Sequence, residues 1–178
     1  MKTSLFWLLT KTKQWRYCEL NVDIIYVGNT KESYLLEAQQ EYLKRLGAYF
    51  KVTMTELKET KLPDNPTQNE ISKALNEEGE RIFQALPKKS YNIALCIEGK
   101  QYSSVEFSEF FEKAAGLGHS RICFIIGGPF GMAENVKEKC DVKLSLSKMT
   151  FTHRMAKILL LEQIYRAGNI LSGGNYHK

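Results

Sequence analysis

Phe124-Ile125-Ile126-Gly127-Gly128-Pro129-Phe130-Gly131-Met132 decides the fold class. An apolar, partly β-branched run stops at two glycines, followed by proline and a third glycine. The run reads as a buried strand. The glycines read as a loop whose backbone turns sharply and comes close to something. Upstream the same grammar repeats. Val22-Asp23-Ile24-Ile25-Tyr26-Val27 predicts a strand closed by Gly28-Asn29, and Tyr91 to Ile97 another closed by Glu98-Gly99-Lys100. Residues 50–57 alternate through Phe50, Val52 and Met54 and predict a further strand. Helical spacing fills the intervals. Tyr34, Leu35, Ala38, Tyr42, Leu43, Leu46 and Tyr49 place a helix over 31–49. Thr67 with Glu70, and Ser103 with Glu106, have capping-box spacing; the helices they open run to just before Pro87 and to Gly116. A short helix near 133–139 leads to a short strand at 142–146, and a long helix runs from His153 to Asn169. Alternating strands and helices predict an α/β fold with a mainly parallel sheet flanked by helices, which binds small molecules at the carboxyl ends of its strands.

At 178 residues the chain is long enough for one domain with a real core. Its net charge is +5, of which +3 falls in residues 1–21 (Lys2, Lys11, Lys13 and Arg16 against Glu19). So mild a basic excess is compatible with RNA without demanding it. No apolar run approaches the roughly 18 residues of a membrane span. Cys18, Cys96, Cys123 and Cys140 have no ligand spacing, and Cys96 and Cys123 lie in apolar runs. They read as reduced thiols, those two buried, in a cytoplasmic protein. Ser4 to Leu9 is too short for a signal core, and Thr10 to Tyr17 is basic without period, so residues 1–19 read as an appendage.

Gly127-Gly128-Pro129-Phe130-Gly131 has neither the Gly-Lys-Ser/Thr ending of a P-loop nor the GxGxxG fingerprint. It reads as a ligand-binding loop or a structural turn. Glu98-Gly99-Lys100 reads as a turn, and as a second wall if both strand ends border one crevice. Of the histidines, His119 reads as solvated in a loop. His153 opens the last helix, where a neutral imidazole is favoured, either positioning structure or taking part in chemistry. His177 sits in a Tyr176-His177-Lys178 ending that offers stacking, a titratable group and a cation, a combination suited to RNA. Neither HxxxH nor HExxH spacing occurs, so no metal is expected, and no serine or cysteine sits in a nucleophile elbow. The last helix is apolar on more than one side (Met155, Ile158, Leu159, Leu160, Leu161, Ile164, Tyr165), which predicts burial against its own sheet and against a second subunit.

Several stretches together resemble one family. They are Ile24-Ile25-Tyr26-Val27-Gly28, Tyr42-Leu43-Lys44-Arg45-Leu46, Ile126-Gly127-Gly128, Leu144 to Phe151, His153, Glu162-Gln163-Ile164-Tyr165-Arg166-Ala167 and Tyr176-His177-Lys178. From about residue 20 to Lys178 the chain resembles the ribosomal large subunit methyltransferase H family of the SPOUT methyltransferases. The resemblance implies a single domain over 20–178 with a deep C-terminal trefoil knot, one of the exceptions to unthreaded chains. It also implies a cytoplasmic homodimer that uses S-adenosylmethionine. The implied reaction is methyl transfer to N3 of a pseudouridine in helix 69 of 23S rRNA, within the assembled 70S ribosome. By position it assigns Leu95, Gly127, Leu146, Ser147, Lys148, Met149, Thr150 and Phe151 to the cofactor. His153, Arg154, Lys157, Tyr176 and Lys178 fall to the substrate RNA, with His177 in the same tail; because N3 carries a proton, a base or a stabilised anion is required, and His177 is the candidate base. Thr152 stands where the family usually has proline, and Lys157 where it usually has arginine. A non-catalytic RNA- or ribosome-binding protein of the same fold, or a related tRNA methyltransferase, are the other readings.

Overall fold

The structure, a computed structural model, describes residues 20–176. The expected appendage, Cys18, His177 and Lys178 lie outside the described residues. Five strands form one sheet: β1 (Asn21–Val27), β2 (Lys51–Leu57), β3 (Ser90–Gln101), β4 (Arg121–Ile126) and β5 (Val142–Ser145). Their order is β2-β1-β4-β3-β5, and every pair is parallel. The helices are α1 (Ser33–Leu46), α2 (Gln68–Ala85), α3 (Ser104–Gly116), α4 (Glu134–Glu138) and α5 (His153–Leu171).

The central strands are apolar on both faces because both faces are covered. Val22, Ile24 and Tyr26 of β1, with Ile122 and Phe124 of β4, join one core with α1, α3 and α5. Ile25 and Val27, with Cys123 and Ile125, point to the other face and pack on Ile82 of α2 and Val136 of α4. Period-2 alternation thus sends neighbouring residues of one run to opposite layers. Both capping boxes form. The Thr67 hydroxyl accepts from Glu70 N at 3.3 Å and the Glu70 carboxylate from Thr67 N at 2.7 Å; Ser103 and Glu106 do the same at 3.2 and 2.7 Å.

Three expectations need correction. Glu98-Gly99-Lys100 does not end β3. The strand continues to Gln101, with a register shift, because β5 pairs with it twice, Leu144 lying against Leu95 and again against Lys100. Gly99 makes this possible: a Cβ there would stand 2.6 Å from the Leu144 carbonyl carbon. His119 is held rather than solvated, its Nδ1 2.9 Å from the Lys89 carbonyl oxygen and its ring against Tyr91. Cys96 is only half-buried, whereas Cys123 is buried.

The two apolar sides of α5 also have a simpler cause than a second subunit. Leu160, Leu161 and Ile164 are fully buried within the protomer, in the core that α5 shares with α1, α3 and the sheet. Exposed large apolar side chains include Tyr34 and Leu36 at the start of α1, Met149 and Phe151 ahead of α5, and Met155 in its first turn, with Ile97, Val105, Leu117 and Phe130 elsewhere.

Candidate functional site

The carboxyl ends of β1, β4, β3 and β5 open towards the same side of the sheet. There a cleft of about 940 Å³ lies between the loop after β4 and the loop after β5. Its volume suits a small-molecule ligand.

The first wall is the Gly127–Met132 loop. Gly128 and Gly131 close a tight turn, with Gly131 N donating to the Gly128 carbonyl at 3.0 Å, Pro129 at the second position and Gly131 at φ +92°. The turn doubles back so tightly that a Cβ on Gly127 would drive into the Gly131 carbonyl. Gly128 in turn lies against Val27 and the Glu78 carboxylate. The second wall is Leu146 to Thr152. Ser145 Oγ donates to the Ser147 carbonyl at 2.9 Å, and Ser147 Oγ accepts from Met149 N at 3.0 Å, which fixes the turn. Thr152 then caps α5, its hydroxyl accepting from Met155 N at 3.3 Å.

The floor is apolar: Leu95, Ile126, Met132 and Leu146. The rim carries both signs of charge. Arg154 donates to the Glu32 carboxylate at 2.5 Å, tying the start of α5 to the start of α1. Hydrogen bonds from its own backbone N–H and that of Lys31, with the Arg154 cation, hold the Glu32 carboxyl below its usual range. Across the cleft, Lys137 pairs with Glu98, and with Glu134 at 2.7 Å. The Lys137 hydrogen bond keeps Glu98 ionised at lower pH than usual. Burial, with the Arg154 cation beside it, pushes the His153 imidazole below its ordinary value, so it is neutral near pH 7. Burial pushes the Cys96 thiol up, so it is no activated nucleophile.

Of the residues assigned from the sequence, Leu95, Gly127, Leu146, Ser147, Met149, Thr150, Phe151, His153 and Arg154 border this one cleft. Lys148 does not line it. Lys157 lies apart from the cleft lining. Its side chain is only 2% exposed, its Nζ donates to Thr30 Oγ1 at 2.8 Å, and it stands 3.9 Å from the centroid of the Tyr26 ring. Lys157 lies on the same face of α5 as His153 but one turn deeper, so within the protomer this lysine meets Thr30 and Tyr26 and not solvent. Tyr176 is also apart from the cleft. It folds back on α5, its N–H donating to Asn169 Oδ1 at 2.8 Å, its ring 4.9 Å from Tyr165 and 4.6 Å from the Arg166 guanidinium. Glu98, read from the sequence as part of a possible second wall, does line the cleft, whereas sequence reasoning missed Glu32, Cys96, Ile97 and Lys137. Lys137 was legible only as one of several lysines on a short helix, and its role needs β3 to carry Glu98 alongside.

No described helix is long and apolar enough to cross a membrane, and no cluster of potential metal ligands occurs among the described residues. With this fold and this cleft, comparison with known proteins is specific. The predicted SPOUT methyltransferase family model matches residues 20–177, and the chain belongs to that family. It is 41% identical to ribosomal RNA large subunit methyltransferase H of Bacillus pumilus over 159 residues, 89% of this chain and 100% of that protein. Identity to the protein of the same name from Listeria welshimeri is also 41%, with the same coverage. Among solved structures, a probable methyltransferase from Bordetella pertussis shares the fold at a TM-score of 0.54 and 13% identity, covering 89% of this chain and 99% of that one.

Proposed function

We infer that this protein is an S-adenosylmethionine-dependent methyltransferase of the large ribosomal subunit RNA. Its target would be N3 of a pseudouridine in helix 69 of 23S rRNA, on the assembled 70S ribosome in the cytoplasm. The observation that carries the reading is the cleft itself: an apolar floor between two tight loops, on a chain that matches its curated relatives over their whole length.

The donor set fits the cofactor. Leu95, Ile126, Met132 and Leu146 offer an apolar seat for an adenosine, and the exposed backbone of the two loops can serve its polar edge. Glu32, Glu98 and Lys137 at the rim offer charges of both signs for an amino acid moiety. Gly127, Ser147, Met149, Thr150 and Phe151 would complete the wall. S-adenosylmethionine, when bound, supplies a sulfonium methyl that is already activated. The protein's task is then to orient the acceptor nitrogen in line with that methyl, and such positioning supplies much of the rate. His153 and Arg154 at the mouth would meet the RNA, with Tyr176 and Lys178. His177 would accept the proton that N3 must lose.

A homodimer belongs to this reading. Tyr176 is docked on Tyr165 and Arg166, 12 and 13 positions along α5 from His153, and a helix advances about 1.5 Å per residue. A tail so placed lies well away from its own cleft, and a second subunit would bring another tail to it. The apolar group of Tyr34, Leu36, Phe151 and Met155 offers that subunit a surface. The trefoil knot belongs to the reading too, supported by β4 occupying the slot between the earlier strands β1 and β3. Residues 1–19 would be dispensable, since the family match begins at residue 20.

Mass spectrometry of 23S rRNA from a strain lacking this gene tests the reading. Loss of a single methyl from a helix 69 pseudouridine, restored by the purified protein on 70S particles, is the expected outcome. An unchanged rRNA methylation pattern refutes it.

A further inference from the structure

His153 borders the cleft, yet its Nε2 is buried and makes no hydrogen bond among the described residues. Buried ring nitrogens are ordinarily satisfied, by protein or by ordered water. What faces this one is Glu59. The point above Gly28 where a Cβ would stand is 3.3 Å from His153 Nε2 and 3.2 Å from Glu59 Oε2. Glu59 is half-buried, and its carboxylate makes no hydrogen bond or ion pair with any described residue. Two groups of complementary chemistry thus stand beside one glycine with no hydrogen-bond partner among the described residues.

The arrangement is held from behind. Arg81 Nη1 donates to the Lys58 carbonyl at 2.7 Å and to Thr60 Oγ1 at 3.0 Å, and Thr60 N donates to the Glu78 carboxylate at 2.8 Å. The residues flanking Glu59 are therefore clamped to α2. Gly28, at φ +87°, puts no side chain between the two groups; a Cβ there would crowd both, at 3.2 and 3.3 Å. The charged groups acting on the imidazole are Arg154 and Lys157 from α5, Glu59 from the segment after β2, and Glu32 from the start of α1. With burial, the two cations keep it neutral, so it carries a single proton on one nitrogen or the other.

We propose that Glu59 is a positioning residue for His153: its carboxylate, beside the buried ring nitrogen, draws the imidazole proton to Nε2 and leaves Nδ1 as a hydrogen-bond acceptor towards the cleft. The opposite tautomer would present an N–H there instead. The tautomer therefore decides whether His153 can take a hydrogen bond from a donor on the substrate base or ribose. Only this functional consequence rests on the methyltransferase reading; the tautomer does not.

The test is nitrogen-15 NMR of the imidazoles in the full chain, in the wild type, Glu59→Gln and Glu59→Ala, beside methylation kinetics and S-adenosylmethionine affinity. The wild type should show His153 protonated on Nε2. Glu59→Gln, whose amide oxygen can still accept from Nε2–H, should retain that tautomer. Glu59→Ala should mix the two tautomers and lower kcat by about tenfold or more, with cofactor Kd little changed. A wild-type spectrum with the proton on Nδ1, or an Nε2–H tautomer untouched by Glu59→Ala, overturns the proposal. Because the spectrum needs no turnover, a protein that methylates nothing would sink the functional reading while leaving the tautomer to be judged separately.

Discussion

Gly127 and Gly131 face each other so closely that no side chain fits between them: a Cβ on Gly127 would enter the Gly131 carbonyl. The contact sets the curvature of the loop that walls the cleft. Gly127→Ala must therefore push the turn away from β4 and spoil the wall. We expect cofactor affinity to fall by at least about tenfold, the equivalent of about 1.4 kcal/mol, in isothermal titration calorimetry. Gly116→Ala is the control, because a Cβ there meets nothing within 4 Å. Equal affinity for both variants would mean that the 127–131 turn does not touch the cofactor.

Glu78 gives a prediction about pH. Its carboxylate is buried behind Gly128, and burial raises its pKa above the ordinary 4.5, against the opposing pull of the Thr60 N–H. The folded protein therefore holds a proton that the unfolded chain has released. Stability falls as pH rises from 4.5 through the raised folded value, and the loss is complete above it. Glu78→Gln can still accept from Thr60 N but carries no charge. Its melting temperature should match the wild type at about pH 4 and equal or exceed it at about pH 7. Parallel melting curves across that range would show that Glu78 keeps its ordinary pKa.

Much of this architecture was legible because local chemistry and global fold agree. Thr67 and Ser103 announce their helices by the caps they make, and the runs at 22–27 and 121–126 announce strands covered on both faces. What stayed hidden depends on partners distant in sequence. Gly99 reads as a turn until β5 lies across it. Lys157 reads as a surface cation until Tyr26, from the first strand, arrives beneath it. Tyr176 belongs to a short polar ending, and nothing near it in sequence says that Tyr165 and Arg166 will hold its ring. The cleft was half legible for the same reason: its two loops carry their own turn signals, whereas Glu32 and Lys137 reach its rim from distant parts of the chain.

The dimer prediction follows from which apolar residues the protomer leaves uncovered. Leu160 is fully buried in the protomer core, so Leu160→Glu should cost more than about 4 kcal/mol and yield misfolded protein, whatever the oligomeric state. Tyr34 and Met155 are 63% and 37% exposed. The double variant Tyr34→Glu, Met155→Glu should keep the wild-type circular dichroism spectrum and scatter light as a monomer. A soluble dimer from that double variant would place the interface on another face.

The C-terminal tail separates cofactor binding from catalysis. Tyr176 is anchored by Asn169, Tyr165 and Arg166, with its hydroxyl 3.3 Å from the Glu162 carboxylate, and none of these residues lines the cleft. Deleting Tyr176, His177 and Lys178 should therefore leave S-adenosylmethionine affinity within about twofold, a change of about 0.4 kcal/mol. Methylation of 70S particles should be abolished, because the deletion takes with it the proposed proton acceptor and the RNA-facing cation. Tyr176→Phe alone should have a milder effect, since the ring contacts to Tyr165 and Arg166 survive and only the hydroxyl contact to Glu162 is lost. Should the deletion weaken cofactor binding as much as it slows turnover, the tail would be part of the fold's packing and not of its substrate site.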